Sequence, residues 1–157
     1  MRSAHSLASN CLATKQKADG TLDPGMLPGL LGYRLRLAQQ ALFRDFAASV
    51  PELSPGRVGM LLLVEANPGV TQGRLAEEVG LDRSTMVGVI DALQARGLIE
   101  RRRGADRRTN GLWLTRAGRT LVVRLKQRID IHERRIAARL EPAERAQLLA
   151  LLEKLSG

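Results

Sequence analysis

The chain has 157 residues, 44% of them hydrophobic, enough apolar material for one compact domain or a small domain with helical extensions. Twenty-five Lys and Arg face 16 Asp and Glu, a formal net charge of +9 that directs attention to a polyanionic partner. A single cysteine, Cys11, excludes an intrachain disulfide framework. The only aromatic residues are Tyr33, Phe43, Phe46 and Trp113, which excludes the stacking platforms that single-strand binders need and favours duplex DNA.

Residues 1–26 are polar and small and read as an arm. No apolar run follows Arg2 and His5, so no secretory signal is expected, and Met60 to Val64 is too short to span a bilayer; the expected location is the cytoplasm. Leu30 to Val50 carries apolar residues at helical spacing and is closed by Pro51. Ser54-Pro55 opens a second helix that ends before the turn signal Asn67-Pro68-Gly69. Thr71 caps a short helix over Gln72 to Val79, and Gly80 permits a left-handed stop. Asp82 caps the next helix, which runs to about Arg96 and ends at Gly97. Two short helices joined by Gly80-Leu81-Asp82 have the spacing of a helix-turn-helix. Leu98 to Arg102 reads as a strand, Arg103 to Asn110 as a polar loop and Leu112 to Leu114 as the returning strand. Thr115 then caps a long helix with Leu121, Leu125, Ile129, His132, Ile136 and Leu140 on one face. Glu141-Pro142 opens a last, leucine-rich helix. The expected fold is mainly α with a small β-hairpin.

In the helix from Arg83 to Arg96, Met86, Val89, Ile90 and Leu93 form the inward face, leaving Arg83, Ser84, Thr85, Val87, Gly88 and Asp91 outward or sideways. The N-terminal residues of a recognition helix meet base edges in the major groove. Arg83 suits guanine, Ser84 and Thr85 suit bases or phosphates, and Val87 offers an apolar contact for a thymine methyl. Between Arg96 and Arg108 lie six arginines and only Glu100 and Asp106, a charge density that repels itself unless an anion is near. In Asp106-Arg107-Arg108 the aspartate can steady one arginine while the other enters a minor groove. His132, on an apolar stripe, reads as a satisfied interface histidine. Two histidines and one cysteine, widely separated, give a metal site little support, and no cofactor is expected. Without a Gly-rich phosphate loop or nucleophile motif, an enzyme is not expected. A low-specificity architectural DNA-binding protein without an effector is the alternative to a sequence-specific one.

Thr71-Gln72, Leu75-Ala76, Asp82-Arg83-Ser84-Thr85, Asp91 with Leu93, Arg96-Gly97-Leu98-Ile99-Glu100-Arg101, Asp106-Arg107-Arg108, Leu114-Thr115 and Ala117-Gly118, in that order and spacing, resemble the MarR family of bacterial regulators. The resemblance implies a homodimer whose first and last helices interleave and two winged helix-turn-helix units on a pseudo-palindromic duplex. The chain would divide into an arm (1–26), an N-terminal dimerisation helix (27–50), the winged helix-turn-helix (51–115) and C-terminal dimerisation helices (116–157). By position, Arg83, Ser84 and Thr85 would read the major groove, Thr71 and Gln72 would support them at phosphates, and Arg107 and Arg108 would serve the wing. Gly88 and Val87 depart from the more polar residues common in the family, so this helix is expected to make fewer polar contacts. The resemblance further implies a small anionic aromatic effector, or its CoA thioester, with repression as the usual outcome; Tyr33, Arg36 and Met60 are the candidates to line its pocket, the alternative being that Tyr33 and Met60 are packing residues and Arg36 lies on the surface.

Overall fold

The computed structural model describes residues 22–103 and 110–157. The chain divides into two compact units, Met1–Arg36 and Leu37–Gly157. In the first, a 3₁₀ turn at Leu27–Gly29 precedes helix α1 (Leu31–Ser49), which runs on into the second unit. Arg34 Nε donates to the Pro28 carbonyl at 2.7 Å, and the Arg36 guanidinium lies 5.1 Å from the Tyr33 ring centroid.

The second unit continues with α2 (Pro55–Ala66), β1 (Val70–Thr71), α3 (Gln72–Val79), α4 (Arg83–Ala95), β2 (Ile99–Arg103), β3 (Asn110–Leu114), α5 (Arg116–Ile136) and α6 (Pro142–Ser156). The expected fold class is what the structure shows: helices with one small antiparallel sheet, here three strands in the order β1-β3-β2. Each start follows local chemistry. Thr71, Asp82 and Thr115 accept a backbone N–H three residues on and so cap α3, α4 and α5. Glu141 and Glu144 form a reciprocal capping box at the start of α6. Gly80 adopts φ 65°, the left-handed conformation that lets α3 stop and the chain turn into α4 within two residues.

Three expectations need correction. Arg103 and Asn110 are not loop residues but a strand pair, which leaves 104–109 as the tip, outside the described residues. Val70 and Thr71, adjoining the turn signal, form a third strand on Leu112 and Gly111. A two-residue strand has no periodicity of its own and exists only through this distant pairing. Leu140 does not extend the stripe of α5. That helix ends at Ile136, a 3₁₀ turn covers Ala137–Arg139, and Leu140 is extended. Pro142 disfavours helical backbone at Glu141 and opens the new helix there.

The core is one contiguous cluster drawn from the end of α1, from α2, α3, α4, α5 and the sheet, with Leu61, Met86, Ile90, Leu93, Val122 and Leu125 all at 0% exposure. Phe46 is the only buried residue of α1, and α6 has none. His132 is a satisfied core histidine within the chain. Its Nδ1 lies 2.6 Å from Asp45 Oδ1, and Phe46 meets its ring edge-on at 5.3 Å. Arg135 donates to the same carboxylate and, with His132, holds Asp45 below the usual carboxylate range.

Where α5 meets the sheet the backbones nearly touch. A Cβ built on Gly118 falls 2.0 Å from the Leu98 carbonyl oxygen, which also accepts the Thr115 backbone N–H. A Cβ on Gly88, mid-α4, meets nothing within 4 Å. Helix propensity alone would favour alanine at both sites. Gly88→Ala is therefore expected to gain about 0.5–1 kcal/mol, and Gly118→Ala to lose about 1–3 kcal/mol from overpacking. Urea unfolding at one fixed protein concentration checks both, and equal shifts for the two variants would contradict this packing.

Candidate nucleic-acid interface

Burial of Met86, Ile90 and Leu93 turns the opposite face of α4 outward. Arg83, Ser84, Thr85, Val87 and Gly88 are exposed at its N-terminal end. Asp82 organises this end. Its Oδ1 accepts the Thr85 N–H at 2.8 Å and the Ser84 hydroxyl at 2.5 Å, and its Oδ2 accepts the Thr85 hydroxyl at 2.6 Å. These donors, the Ser84 and Thr85 hydroxyls foremost, hold the Asp82 carboxyl far below the usual carboxylate range, so the cap keeps its charge throughout the neutral range. Ser84 and Thr85 spend their hydroxyl protons inside the protein. What they offer outward is oxygen acceptors and, for Thr85, a methyl group.

Gln72, Arg83 and Val87, three of the residues expected to meet DNA, surround one open hollow of about 330 Å³, with Gly73 and Met86 completing its wall and floor. Thr71, the cap of α3, lies in β1 beside it. Arg107 and Arg108 lie outside the described residues, as do Asp106 and Cys11.

The arginines approaching the tip do not simply repel one another. Arg96 donates to the Glu52 carbonyl at 2.9 Å. Arg102 pairs with Glu100 and stacks 5.6 Å from the Trp113 ring centroid. Arg101 turns inward from β2. It donates to Asp91 Oδ1 at 2.6 Å, to Gln94 Oε1, and at 3.4 Å to Gln72 Oε1. The self-repulsion expected from sequence is thus relieved within the protein for three arginines, because the α1–α2 connection, α3, α4 and β2 bring acceptors to them. Sequence reading missed this clamp. The residues were visible, but Asp91 and Arg101 are ten apart and meet only when the strand folds back along α4. Gln72, expected at a phosphate, accepts from Arg101 through its carbonyl oxygen and keeps its amide N–H groups for another partner.

Tyr33 and Arg36, expected near an effector, stack on each other in the first unit. Met60, in the second unit, is 4% exposed and belongs to the core. It also borders a separate hollow of about 390 Å³ with Ser54, Gly56, Arg57, Leu81 and Val89. Arg57, at the start of α2, was not singled out by sequence, since one arginine in a helix's first turn carries no distinguishing pattern. Among the described residues no three His, Cys, Asp or Glu side chains are grouped to hold a metal ion, and no helix is long and apolar enough to cross a membrane.

The arrangement has close counterparts. A match to the MarR family covers residues 52–109. Over 135 residues the chain is 38% identical to a protein of Thauera aromatica whose name assigns it to transcriptional regulation of the hcr operon, across 83% of this chain and 81% of that protein. The transcriptional repressor CouR bound to a 23-mer DNA duplex matches with a TM-score of 0.83 at 38% identity, covering 88% of this chain and 100% of that one. CouR bound to p-coumaroyl-CoA matches at 0.81 and 37%, covering 87% and 98%. The PcaV regulator of Streptomyces coelicolor with its natural ligand matches at 0.78 and 31%, covering 88% and 97%. With its helix-turn-helix, its three-stranded wing sheet and these relatives, the chain belongs to the MarR family of transcriptional regulators.

Proposed function

We propose that the protein is a cytoplasmic, homodimeric repressor that binds a pseudo-palindromic duplex and releases it when a small anionic aromatic compound or its CoA thioester binds; it is not an enzyme. The observation that carries the DNA reading is the exposed N-terminal half of α4, where Arg83 and Val87 rise beside Gln72 over a common hollow while the other face is buried. CouR, similar over most of the chain, has been solved both on a DNA duplex and with p-coumaroyl-CoA, which supports both halves of the proposal.

Dimerisation is supported by apolar surface that this chain leaves uncovered. Leu148, Leu149, Leu151, Leu152 and Leu155 of α6 are 37–58% exposed, and Leu42, Phe43 and Ile131 add to this surface. Leu42, Ile136, Leu140, Leu148, Leu149 and Leu152 form a groove of about 230 Å³ rimmed by Glu133 and Arg145. A helix with leucines on several sides and no buried residue needs a partner. A second copy supplies one, with 27–50 and 116–157 as the interleaving parts. Two recognition helices would then sit about 34–36 Å apart, one turn of DNA. An effector that binds a different spacing more tightly, by about 1–3 kcal/mol, would release the duplex.

Arg83, Ser84, Thr85 and Val87 are assigned to the major groove, Thr71 and Gln72 to its phosphate wall, and Arg107 and Arg108 to the wing. In a titration of a duplex from the gene's own upstream region against random DNA, the specific duplex is expected to bind at least about 10³-fold more tightly. Equal affinities would instead indicate an architectural protein. Arg83→Ala is expected to flatten the preference at particular base positions. Arg108→Ala is expected to weaken all sequences alike and to reduce the slope of log K against log salt by about 1.

Arg101→Ala tests the clamp. Because that guanidinium faces Asp91, Gln94 and Gln72 rather than solvent, its loss should weaken specific binding with an unchanged salt slope. A slope reduced as far as in Arg108→Ala would place Arg101 at a phosphate.

The effector half is tested by thermal shift against aromatic acids and their CoA thioesters, p-coumaroyl-CoA among them. The active compound should raise Tm and weaken duplex binding. Arg36→Ala should cost about tenfold in effector affinity, the worth of one charge-assisted hydrogen bond, while duplex affinity holds.

A further inference from the structure

The hollow beside α4 has an unusual lining for a surface that meets DNA. Arg83 and Val87 lie four residues apart and so stand on one helix face, one turn from each other. Val87 is 45% exposed, a β-branched apolar side chain facing outward in the reading half of the helix. Beneath it the floor is Met86, and the far wall is Gln72 and Gly73 at the start of α3. A Cβ on Gly73 or on Gly88 would meet nothing within 4 Å, so the space beside Val87 is open to a planar group entering from outside. The polar members, Arg83 and Gln72, stand at the side of an otherwise apolar depression.

In the major groove only one base edge presents an apolar group, the C5-methyl of thymine. Resting on the DNA-reading role proposed above, we infer that this hollow is a methyl-reading site: Val87, seated over the buried Met86, receives the C5-methyl of a thymine in each half-site, and Arg83 contacts a guanine one or two base pairs away. The step count follows from geometry, because one helical turn rises about 5.4 Å against about 3.4 Å per base pair. The chemistry read is the methyl at C5, so 5-methylcytosine in the same place would satisfy the hollow as thymine does. Sequence alone marks Val87 as apolar and outward. The structure adds the floor, the wall and the neighbouring arginine that turn one side chain into a receptacle.

The test uses the full-length protein and the duplex it enriches from a random pool. Each thymine is replaced in turn by deoxyuridine, which removes only the methyl, and then by 5-bromodeoxyuridine, which restores its bulk. Affinity is read by fluorescence anisotropy at fixed salt. One thymine per half-site is expected to lose about fourfold as uracil, the worth of one buried methyl group, and to recover with bromine. Val87→Ala, an exposed substitution that leaves the core intact, should bind the thymine and uracil duplexes alike with an unchanged salt slope and Tm. A thymine-free consensus, a wild-type protein indifferent to uracil at every position, or a Val87→Ala variant that keeps the full methyl dependence would overturn the inference while leaving sequence-specific binding intact. Failure of the pool to converge on any sequence would instead remove the operator reading, and the inference with it.

Discussion

Met86, Ile90 and Leu93 lie at 0% exposure on one side of α4, and everything the other side can do depends on that burial. Each such side chain contributes about 1.5–3 kcal/mol through removal from water. Half a turn of rotation about the helix axis would expose all three and bury Ser84 and Gly88 instead. The rotational setting of the recognition helix is therefore fixed by its core face, and no contact on the exposed face has comparable weight. The Asp91–Arg101 pair, 55% and 27% exposed, belongs to a class worth about 1 kcal/mol or less. Its contribution is directional: it sets the angle of strand β2 against a helix already anchored by the core.

That division of labour also accounts for how the chain carries so much positive charge. Arg96, Arg101 and Arg102 are held by a carbonyl or by carboxylate and amide oxygens near the base of the wing. On α5, Arg128 is bidentate to Glu52 and Arg135 pairs with Asp45, which also receives His132. The count of 25 Lys and Arg therefore overstates the cationic groups available to phosphate. Positive charge near the DNA-reading face is concentrated at a few positions, Arg83 above all on α4, instead of spread as a uniform field. Such a surface favours contact at defined places over coating.

How far the fold was legible in the sequence follows the range of the interactions involved. Capped helices announce themselves locally: Thr71, Asp82 and Thr115 each mark a start because the hydroxyl or carboxylate reaches an N–H three residues away. Strand β1 and the Arg103–Asn110 pair depend on residues about 40 and seven positions off in sequence, and they were missed or shortened. The same distinction divides the site. The exposed face of α4 follows from periodicity, so Arg83 and Val87 were identifiable. The inward turn of Arg101 depends on how β2 crosses α4, and no pattern in the arginine run separates it from Arg102 or Arg103. Met60 both packs in the core and borders a hollow, and a methionine at a helical core position has the same spacing whether it packs or lines a ligand site.

The uncovered leucines of α6 connect these local facts to regulation. A monomer with this surface has apolar area to bury, and in the proposed dimer the same burial would determine the distance between the two α4 helices. Within one chain, α5 links the two regions continuously: its first turn rests on the Leu98 carbonyl at the wing's base through Thr115 and Gly118, and its last turns carry His132 and Ile136 toward α1 and α6. The contact at Gly118 leaves no slack, because even a methyl group would collide there. In the proposed dimer this continuous 21-residue helix would act as a lever rather than a spring. Small changes at the dimer end would therefore arrive at the wing and recognition helix as rigid displacement, and a rigid displacement alters the spacing that two half-sites require.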